Sequence, residues 1–343
     1  DSLNLLINRI AMNLLKQLSE AIAPAGKEDS VRDIIVNHFR ALGLNVEVDE
    51  QGNVIAYRNI SSRPIVLSAH MDEIGVLVRY IDDDGFIRIV SLGGFLPEYL
   101  LSKRVLLFGR QNVEGIVQRE FLEDWRDEDR KLKFKNLFIQ TDLEREDIKK
   151  IIYPGVVGGV YQSFRESNRY VFGKSLDDRI GLYILTELAK DLPDNVILMG
   201  STEEEVSSIG KGAVNAVWRL DPKLFIAVDV GEANDYPGGE KFTKLDGGPE
   251  VTVREIRGIG NVIRDKYLEK IDNIAKDSGI EIQYRITTDS ATEASNVYYL
   301  KGGIPSIAIC TPIRYIHTFN EMASKLDIQN TIQLLSNLIH SDI

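Results

Sequence analysis

The chain has 343 residues, 43% of them hydrophobic and 27% charged, a composition typical of a folded globular protein with one large or two ordinary domains. The net charge of −11 argues against general nucleic-acid binding, because neutralising phosphates requires clustered Lys and Arg. The single cysteine excludes an internal disulfide, the N-terminal segment lacks the pattern of a signal peptide, and no apolar run has the length of a membrane span. We therefore expect a cytoplasmic protein that binds neither nucleic acids nor membranes.

The first segments predict the beginning of an α/β domain. Residues 1–42 have helical periodicity and are followed by a glycine, which often ends a helix. Two alternating segments, 44–48 and 53–57, predict a hairpin. The compact apolar run 63–69 predicts a strand that is buried on both faces.

The pattern changes between residues 75 and 165, where short alternating segments are separated by glycine turns. This pattern predicts a mainly β module inserted into the α/β chain. A charge-dense stretch within it, residues 119–135, predicts a solvated face or one that contacts another subunit.

Alternation of helices and strands returns after the insertion. Residues 178–188 predict a helix that begins with an aspartate cap, and residues 261–279 predict another helix. Apolar runs typical of buried strands are present at 196–199, 224–228 and 304–310. Strands that alternate with helices predict a largely parallel sheet covered by helices on both faces.

Polar residues that could carry chemistry follow four of the predicted strands. In chain order they are His70 and Asp72, the glutamates at 203–205, Asp229, and His317. Because sites in open α/β sheets form beyond the carboxyl ends of the strands, we expect these side chains to converge.

Two adjacent aspartates, Asp177 and Asp178, begin a predicted helix from which they can reach the same edge. Histidines and carboxylates together are ligands of zinc, cobalt or manganese, and the set is larger than one metal needs. The surplus indicates two metals that share a bridging aspartate. In the pair His70-x-Asp72, the carboxylate would orient the imidazole.

Each of these positions also has a purely structural explanation. A histidine at a strand end can be a buried structural residue, paired aspartates can cap a helix, and adjacent glutamates can lie in a solvated loop. Asp229 is harder to explain in this way, because an unpaired buried carboxylate is costly. The metal site is favoured because the alternative requires all of these structural explanations to be true at once.

Five motifs resemble, in order, those of the tetrahedral (TET) aminopeptidases and the related glutamyl aminopeptidases, some of which are labelled endoglucanases or cellulases. The motifs are Ala69-His70-Met71-Asp72-Glu73-Ile74-Gly75, Lys174-Ser175-Leu176-Asp177-Asp178-Arg179, Glu204-Glu205-Val206, Val228-Asp229-Val230 and Arg314-Tyr315-Ile316-His317. The resemblance covers essentially the whole chain. It implies an α/β fold with a zinc-peptidase-like catalytic domain, residues 1–74 and 166–343, whose mixed, largely parallel sheet is sandwiched by helices. Residues 75–165 would form an inserted, β-barrel-like dimerisation domain.

The resemblance also implies two divalent metal ions per subunit, either Zn²⁺ or Co²⁺. One metal would be held by His70, Asp177 and Asp229. The other would be held by Asp177, Glu205 and His317, so that Asp177 bridges the two.

Further roles follow from the same resemblance. Glu204 would be the general base, and Asp72 would orient the histidine that precedes it by two residues. The peptide bond Asp177–Asp178 would be cis. Asp289 and Thr292 lie in a segment that we expect near the substrate pocket.

The sequence departs from the family pattern at two places. Glu203 stands where glutamine is usual, which allows the alignment of the glutamates to shift by one residue. Residues 318–321 are Thr-Phe-Asn-Glu in place of the more familiar Ser-Pro-x-Glu. Neither departure removes an implied ligand, but both could alter activity or the substrate pocket.

The resulting hypothesis is a di-metal aminopeptidase that removes N-terminal residues from peptides. It would form a homo-oligomer, at least a dimer and, by resemblance, a dodecamer. Two alternatives stay open: a glycoside hydrolase of the endoglucanase type that uses paired carboxylates, and a non-catalytic protein that assembles through the β module. The preferred N-terminal residue and the choice between zinc and cobalt also stay open.

Overall fold

A computed structural model describes residues 12–121, 131–207, 210–240, 242–255, 260–288 and 290–343. The helices are residues 12–20 (α1), Asp29–Ala41 (α2), Arg145–Ile151 (α3), Leu176–Leu188 (α4), Lys211–Leu220 (α5), Asp265–Ser278 (α6), Glu293–Val297 (α7) and Lys325–Ile339 (α8). Within the described part of the chain, none of the helices is both long and apolar enough to cross a membrane.

The strands belong to a twelve-stranded mixed sheet and to a closed barrel formed by β4–β9. In chain order they are Asn45–Val48 (β1), Val54–Tyr57 (β2), Ile65–His70 (β3), Gly75–Ile81 (β4), Ile87–Leu92 (β5), Arg104–Phe108 (β6), Asn112–Arg119 (β7), Leu137–Gln140 (β8), Val157–Val160 (β9), Arg165–Glu166 (β10), Tyr170–Gly173 (β11), Val196–Ser201 (β12), Leu224–Glu232 (β13), Glu250–Glu255 (β14), Asn261–Val262 (β15), Gln283–Thr287 (β16), Ser306–Arg314 (β17) and Glu321–Ser324 (β18).

The centre of the large sheet is parallel, in the order β12-β3-β13-β17. Strands β3 and β12 are buried along their whole length, as their largely apolar sequences predict. Alternate residues enter different cores: Leu67 packs in the cluster that contains α2, α4 and α8, whereas Val66 packs with α5 and α7. The sheet is therefore covered on both faces, and the predicted fold class is confirmed.

The prediction of one helix over residues 1–42 is wrong within the described part, because residues 21–28 separate α1 from α2. Pro24 forms an isolated parallel bridge with Glu73, and the N–H of Ala23 donates to the Glu73 carboxylate at 2.7 Å. The chain is thus held against the end of β3 by contacts distant in sequence, and a proline lacks the N–H that a helix interior needs. Residues 1–11 lie outside the described residues.

Two further boundaries differ from prediction. Residues 261–279 are not all helical: Asn261 and Val262 pair with β14, the Asn261 amide donates to the Ser306 carbonyl at 3.0 Å, and α6 begins at Asp265. Strand β13 does not end before Asp229, because its pairing with β17 continues for three more residues. Asp229 therefore lies within a strand, not after one.

The barrel is antiparallel and has a separate apolar core. Its strand β7 alternates buried and exposed residues, so one face fills the interior while the other meets solvent. Phe319, which comes from the chain after β17, also packs in this core. The middle of the predicted charged stretch, residues 122–130, lies outside the described residues.

A buried ion pair lies where β3 leads into the barrel. The Glu73 carboxylate accepts hydrogen bonds from the ammonium group of Lys174 and from the hydroxyl of Ser175. The same ammonium donates to the carbonyl of Ala21 at 2.8 Å. Both charged side chains are almost completely buried, so each depends on the other for its charge.

We predict that Lys174→Met lowers the free energy of unfolding by about 3 kcal/mol, since Glu73 would keep a buried charge without its cation. Urea denaturation followed by circular dichroism measures the change. The matched control is Lys190→Met, which removes a half-exposed partner of Glu187 and should change the same free energy by less than about 1 kcal/mol. Equal denaturation midpoints for the two variants would contradict the prediction.

Candidate metal centre

The carboxyl ends of the parallel strands open into a cavity of about 510 Å³. The predicted site residues that line this cavity are His70, Asp177, Glu204, Glu205, Asp229, Thr292 and His317. They come from β3, β13, the loops after β12 and β17, and the starts of α4 and α7. The convergence expected from the strand ends is therefore present.

Asp177 lies between the two histidines of the cavity. One of its carboxylate oxygens is 3.0 Å from Nε2 of His70, and the other is 3.3 Å from Nε2 of His317. The same nitrogen of His317 is 3.4 Å from Oε2 of Glu205. One carboxylate thus offers an oxygen to each side, which is the arrangement that a bridging ligand requires.

Two overlapping groups of side chains have potential ligand atoms within 4.8 Å of one another: His70 with Asp178 and Asp229, and His70 with Asp177 and Glu205. Both groups differ from the predicted sets: the first contains Asp178 where Asp177 was expected, and the second contains His70 where His317 was expected. Imidazole and carboxylate donors in this combination fit zinc, cobalt or manganese.

The protonation behaviour of the site also fits a cation. Burial, together with the negative charge of Asp177, raises the pKa values of Asp229 and Glu205 to about 7. Burial opposes the protonation of His317, but Glu205 and Asp177 raise its pKa to about 11. Closely spaced carboxylates that hold protons in this way match a site that a divalent cation would neutralise.

Asp72 contacts three residues of the predicted site, namely His70, Glu204 and Glu205. Its carboxylate oxygens accept the backbone N–H groups of Glu204 and Glu205, each at 3.0 Å. Nδ1 of His70 lies 3.1 Å from the Asp72 carbonyl oxygen and 3.5 Å from its carboxylate. The nearer partner of the imidazole is therefore the main chain, while the carboxylate fixes the loop that carries the glutamates.

Two buried carboxylates support the site through contacts of which the sequence indicated only the helix cap. Asp178 accepts the N–H of His70 at 3.2 Å and, as the predicted helix cap, the N–H of Gly181 at 2.9 Å. Glu321 accepts the N–H groups of Asp177 at 3.2 Å and His317 at 3.1 Å. The only sequence signal for Glu321 was its position four residues after His317. The peptide bond between Asp177 and Asp178 is cis, as the resemblance implies.

The barrel contributes directly to the site. Nδ1 of His317 is 2.6 Å from the carbonyl oxygen of Gly94, in the chain that follows β5. Phe319 packs edge-on against Phe95, with ring centroids 5.4 Å apart. The segment that departs from the family pattern after His317 is thus packed into the barrel core.

The glutamates after β12 divide into two kinds. Glu203 has a positive φ of 55° and pairs with Lys211 at 2.5 Å, and it does not line the cavity. Glu204 and Glu205 line the cavity. Thr292 is the N-cap of α7, and Asp289 lies outside the described residues.

Comparison with known proteins gives matches along nearly the whole chain. The sequence profile of the M42 glutamyl aminopeptidases matches residues 52–334. A lysyl aminopeptidase of Pyrococcus furiosus is 29% identical over 338 residues, which cover 95% of this chain and 96% of that protein.

Comparison with solved structures also gives matches along nearly the whole chain. Aminopeptidase APDkam598 of Desulfurococcus kamchatkensis superposes with a TM-score of 0.88 at 29% identity, covering 96% of this chain and 94% of its own. A TET1 peptidase of Pyrococcus horikoshii superposes with a TM-score of 0.83 at 25% identity, over 96% of this chain and 99% of that one. That peptidase is described as assembling into a tetrahedron or a large octahedral shell. The resemblance in the motifs is thereby confirmed: this chain belongs to the M42 glutamyl aminopeptidase family and is a peptide hydrolase.

Proposed function

We propose that the protein is an aminopeptidase that holds two divalent metal ions per subunit, zinc or cobalt. One site would consist of His70, Asp177 and Asp229, and the other of Asp177, Glu205 and His317. The observation that carries the proposal is the position of Asp177, whose two oxygens face the two histidines. When bound, two such ions activate water and polarise a peptide carbonyl.

Glu204 is the proposed general base. Burial raises its pKa well above the usual range; His70 opposes this shift, and Glu205 adds to it. A carboxyl group with a raised pKa can accept a proton from the attacking water and return it to the leaving amine near neutral pH. The hydrogen bond from the Glu204 N–H to Asp72 fixes the backbone that carries this carboxylate.

The acidic cavity supports removal of the N-terminal residue in particular. A free α-ammonium group would be attracted by the carboxylates that line it, whereas an internal peptide group carries no such charge. Positioning by the ammonium would place the first peptide bond beside Glu204.

We also propose that the protein forms a homo-oligomer through its barrel. The barrel and its loops expose large apolar side chains, among them Leu96, Tyr99, Ile116 and Tyr153. The α/β domain also exposes large apolar side chains, such as Trp218 and Ile286, so the choice of the barrel as the interface rests on the family resemblance. A dimer is the minimum, and a dodecamer is described for the solved structure of PhTET1-12s. A cytoplasmic location stays a prediction.

We predict that Glu204→Gln lowers turnover of an aminoacyl anilide by about 10²–10⁴-fold, because the amide cannot accept the proton from water. Metal content should stay unchanged. The matched control is Glu203→Gln, which removes the adjacent carboxylate that pairs with Lys211 outside the cavity and should leave turnover near wild type. The opposite pattern would assign the base to Glu203 and show that the register is shifted by one residue.

Removing the metals should abolish peptide hydrolysis, and adding zinc or cobalt should restore it with two ions bound per chain. Elemental analysis of the dialysed protein measures the stoichiometry. Activity on β-glucans that persists in the metal-free protein would instead support the glycoside hydrolase, which needs only carboxylates. The absence of stoichiometric metal binding would favour the non-catalytic assembly protein.

Glu321→Ala should weaken zinc binding by about 10- to 100-fold, because the main chains of Asp177 and His317 lose the acceptor that holds them. Competition with a chromogenic chelator measures the affinity. The graded control is Glu321→Gln, which keeps one acceptor oxygen and should lose less affinity. If the two variants bind zinc as tightly as wild type, Glu321 does not position the ligands.

A further inference from the structure

The cavity extends from the metal centre along one face of the sheet. Asp229 pairs with Cys310, which in turn pairs with Glu250, so these three side chains project from the same face of neighbouring strands. Thr252 and Arg285, which pair across β14 and β16, continue this face. The cavity is therefore large enough to accommodate more than the reacting peptide bond, and it ends among charged side chains.

The single arginine at this end already has partners. Nη1 of Arg285 donates to Oε1 of Glu250 at 3.1 Å, and Nη2 donates to the hydroxyl of Ser290, also at 3.1 Å. Glu250 is completely buried, so its charge depends on Arg285. The pair is neutral as a unit, and breaking it to bind an anionic group would leave Glu250 uncompensated.

Among the described glutamates that line the cavity, Glu255 has a buried oxygen without a hydrogen-bond partner; Oε2 of Glu250, which does not line the cavity, is another such oxygen. Glu255 is 3% exposed, and its Oε1 accepts the N–H of Thr292 at 2.6 Å. Its Oε2 is buried and has no hydrogen-bond partner among the described residues. Burial raises the pKa of Glu255 to about 7, against the opposing effect of the bonds to Thr292. Glu232 adds a second carboxylate to the wall, and among the described lining residues Arg285 is the only Lys or Arg.

We propose that this cavity selects peptides whose N-terminal residue is lysine or arginine, with Glu255 as the specificity-determining residue. The proposal rests on the aminopeptidase function proposed above. A cationic side chain would donate to the Glu255 carboxylate, forming a charge-assisted hydrogen bond. An acidic side chain would face Glu255 and Glu232, and an apolar side chain would leave the buried oxygen unpaired.

The test compares kcat/KM for anilides of lysine, norleucine, leucine and glutamate with the metal-loaded, full-length protein. Norleucine has the same chain length as lysine without its ammonium group, so the lysine-to-norleucine ratio isolates the charge. We expect this ratio to be at least about 30 in the wild type. Glu255→Gln should lower the ratio at least about tenfold, chiefly through a lower kcat/KM for the lysine anilide.

The matched control is Glu281→Gln, an exposed glutamate that does not line the cavity and whose loss should leave the ratio unchanged. If Glu255→Gln fails to fold, inhibition of the wild type by free lysine and free norleucine gives an independent comparison, with lysine expected to bind more tightly. Equal inhibition would overturn the proposal.

The outcomes separate this proposal from the function on which it rests. If no anilide is hydrolysed, the aminopeptidase function itself fails. If anilides are hydrolysed but leucine is preferred, only the selection of basic residues is overturned. A preference for glutamate that Arg285→Met removes would also overturn it and assign the cavity to acidic residues.

Discussion

The rest of the site depends on a concentration of negative charge at one edge of the sheet. Asp177, Glu205 and Asp229 are held close together, and the two imidazoles of His70 and His317 are the nearest groups able to offset them. Carboxylates at this spacing repel one another strongly in a poorly solvated cavity. Backbone contacts beneath these side chains and the two imidazoles hold the arrangement together.

Two classes of carboxylate can be distinguished by their partners. Asp72, Asp178 and Glu321 each accept two backbone N–H groups, and these contacts hold the three carboxyl groups against the main chain. Among the described residues, each carboxylate that faces the cavity has one backbone N–H donor or none. Their oxygens are therefore available as ligands. Behind the site lies Arg179, which is wholly buried; burial lowers its pKa, and Glu73, Asp72 and Asp178 oppose that shift. A fixed cation thus offsets the supporting carboxylates without entering the cavity.

The sequence could predict the strands and the candidate ligands because both depend on local pattern: an apolar run, then a polar residue at its end. It could not predict the supporting contacts, which join residues far apart along the chain. Glu321 lies 144 residues from Asp177, and Gly94 lies 223 residues from His317. The break between α1 and α2 was missed for the same reason, since contacts with Glu73 hold residues 21–28 out of the helix. The end of β13 was placed too early because a polar residue within a strand resembles the end of one.

The barrel is joined to the metal centre by two contacts on the same short segment. The carbonyl of Gly94 meets the imidazole of His317, and Phe319, two residues later, packs in the barrel core against Phe95. The orientation of a proposed ligand therefore depends on how well the barrel is packed. By thermodynamic reciprocity, whatever stabilises this packing would increase the affinity of the proposed metal site at His317, and occupancy of that site would stabilise the barrel by the same free energy. If subunits associate through the barrel as proposed, their association and metal binding at His317 would each favour the other.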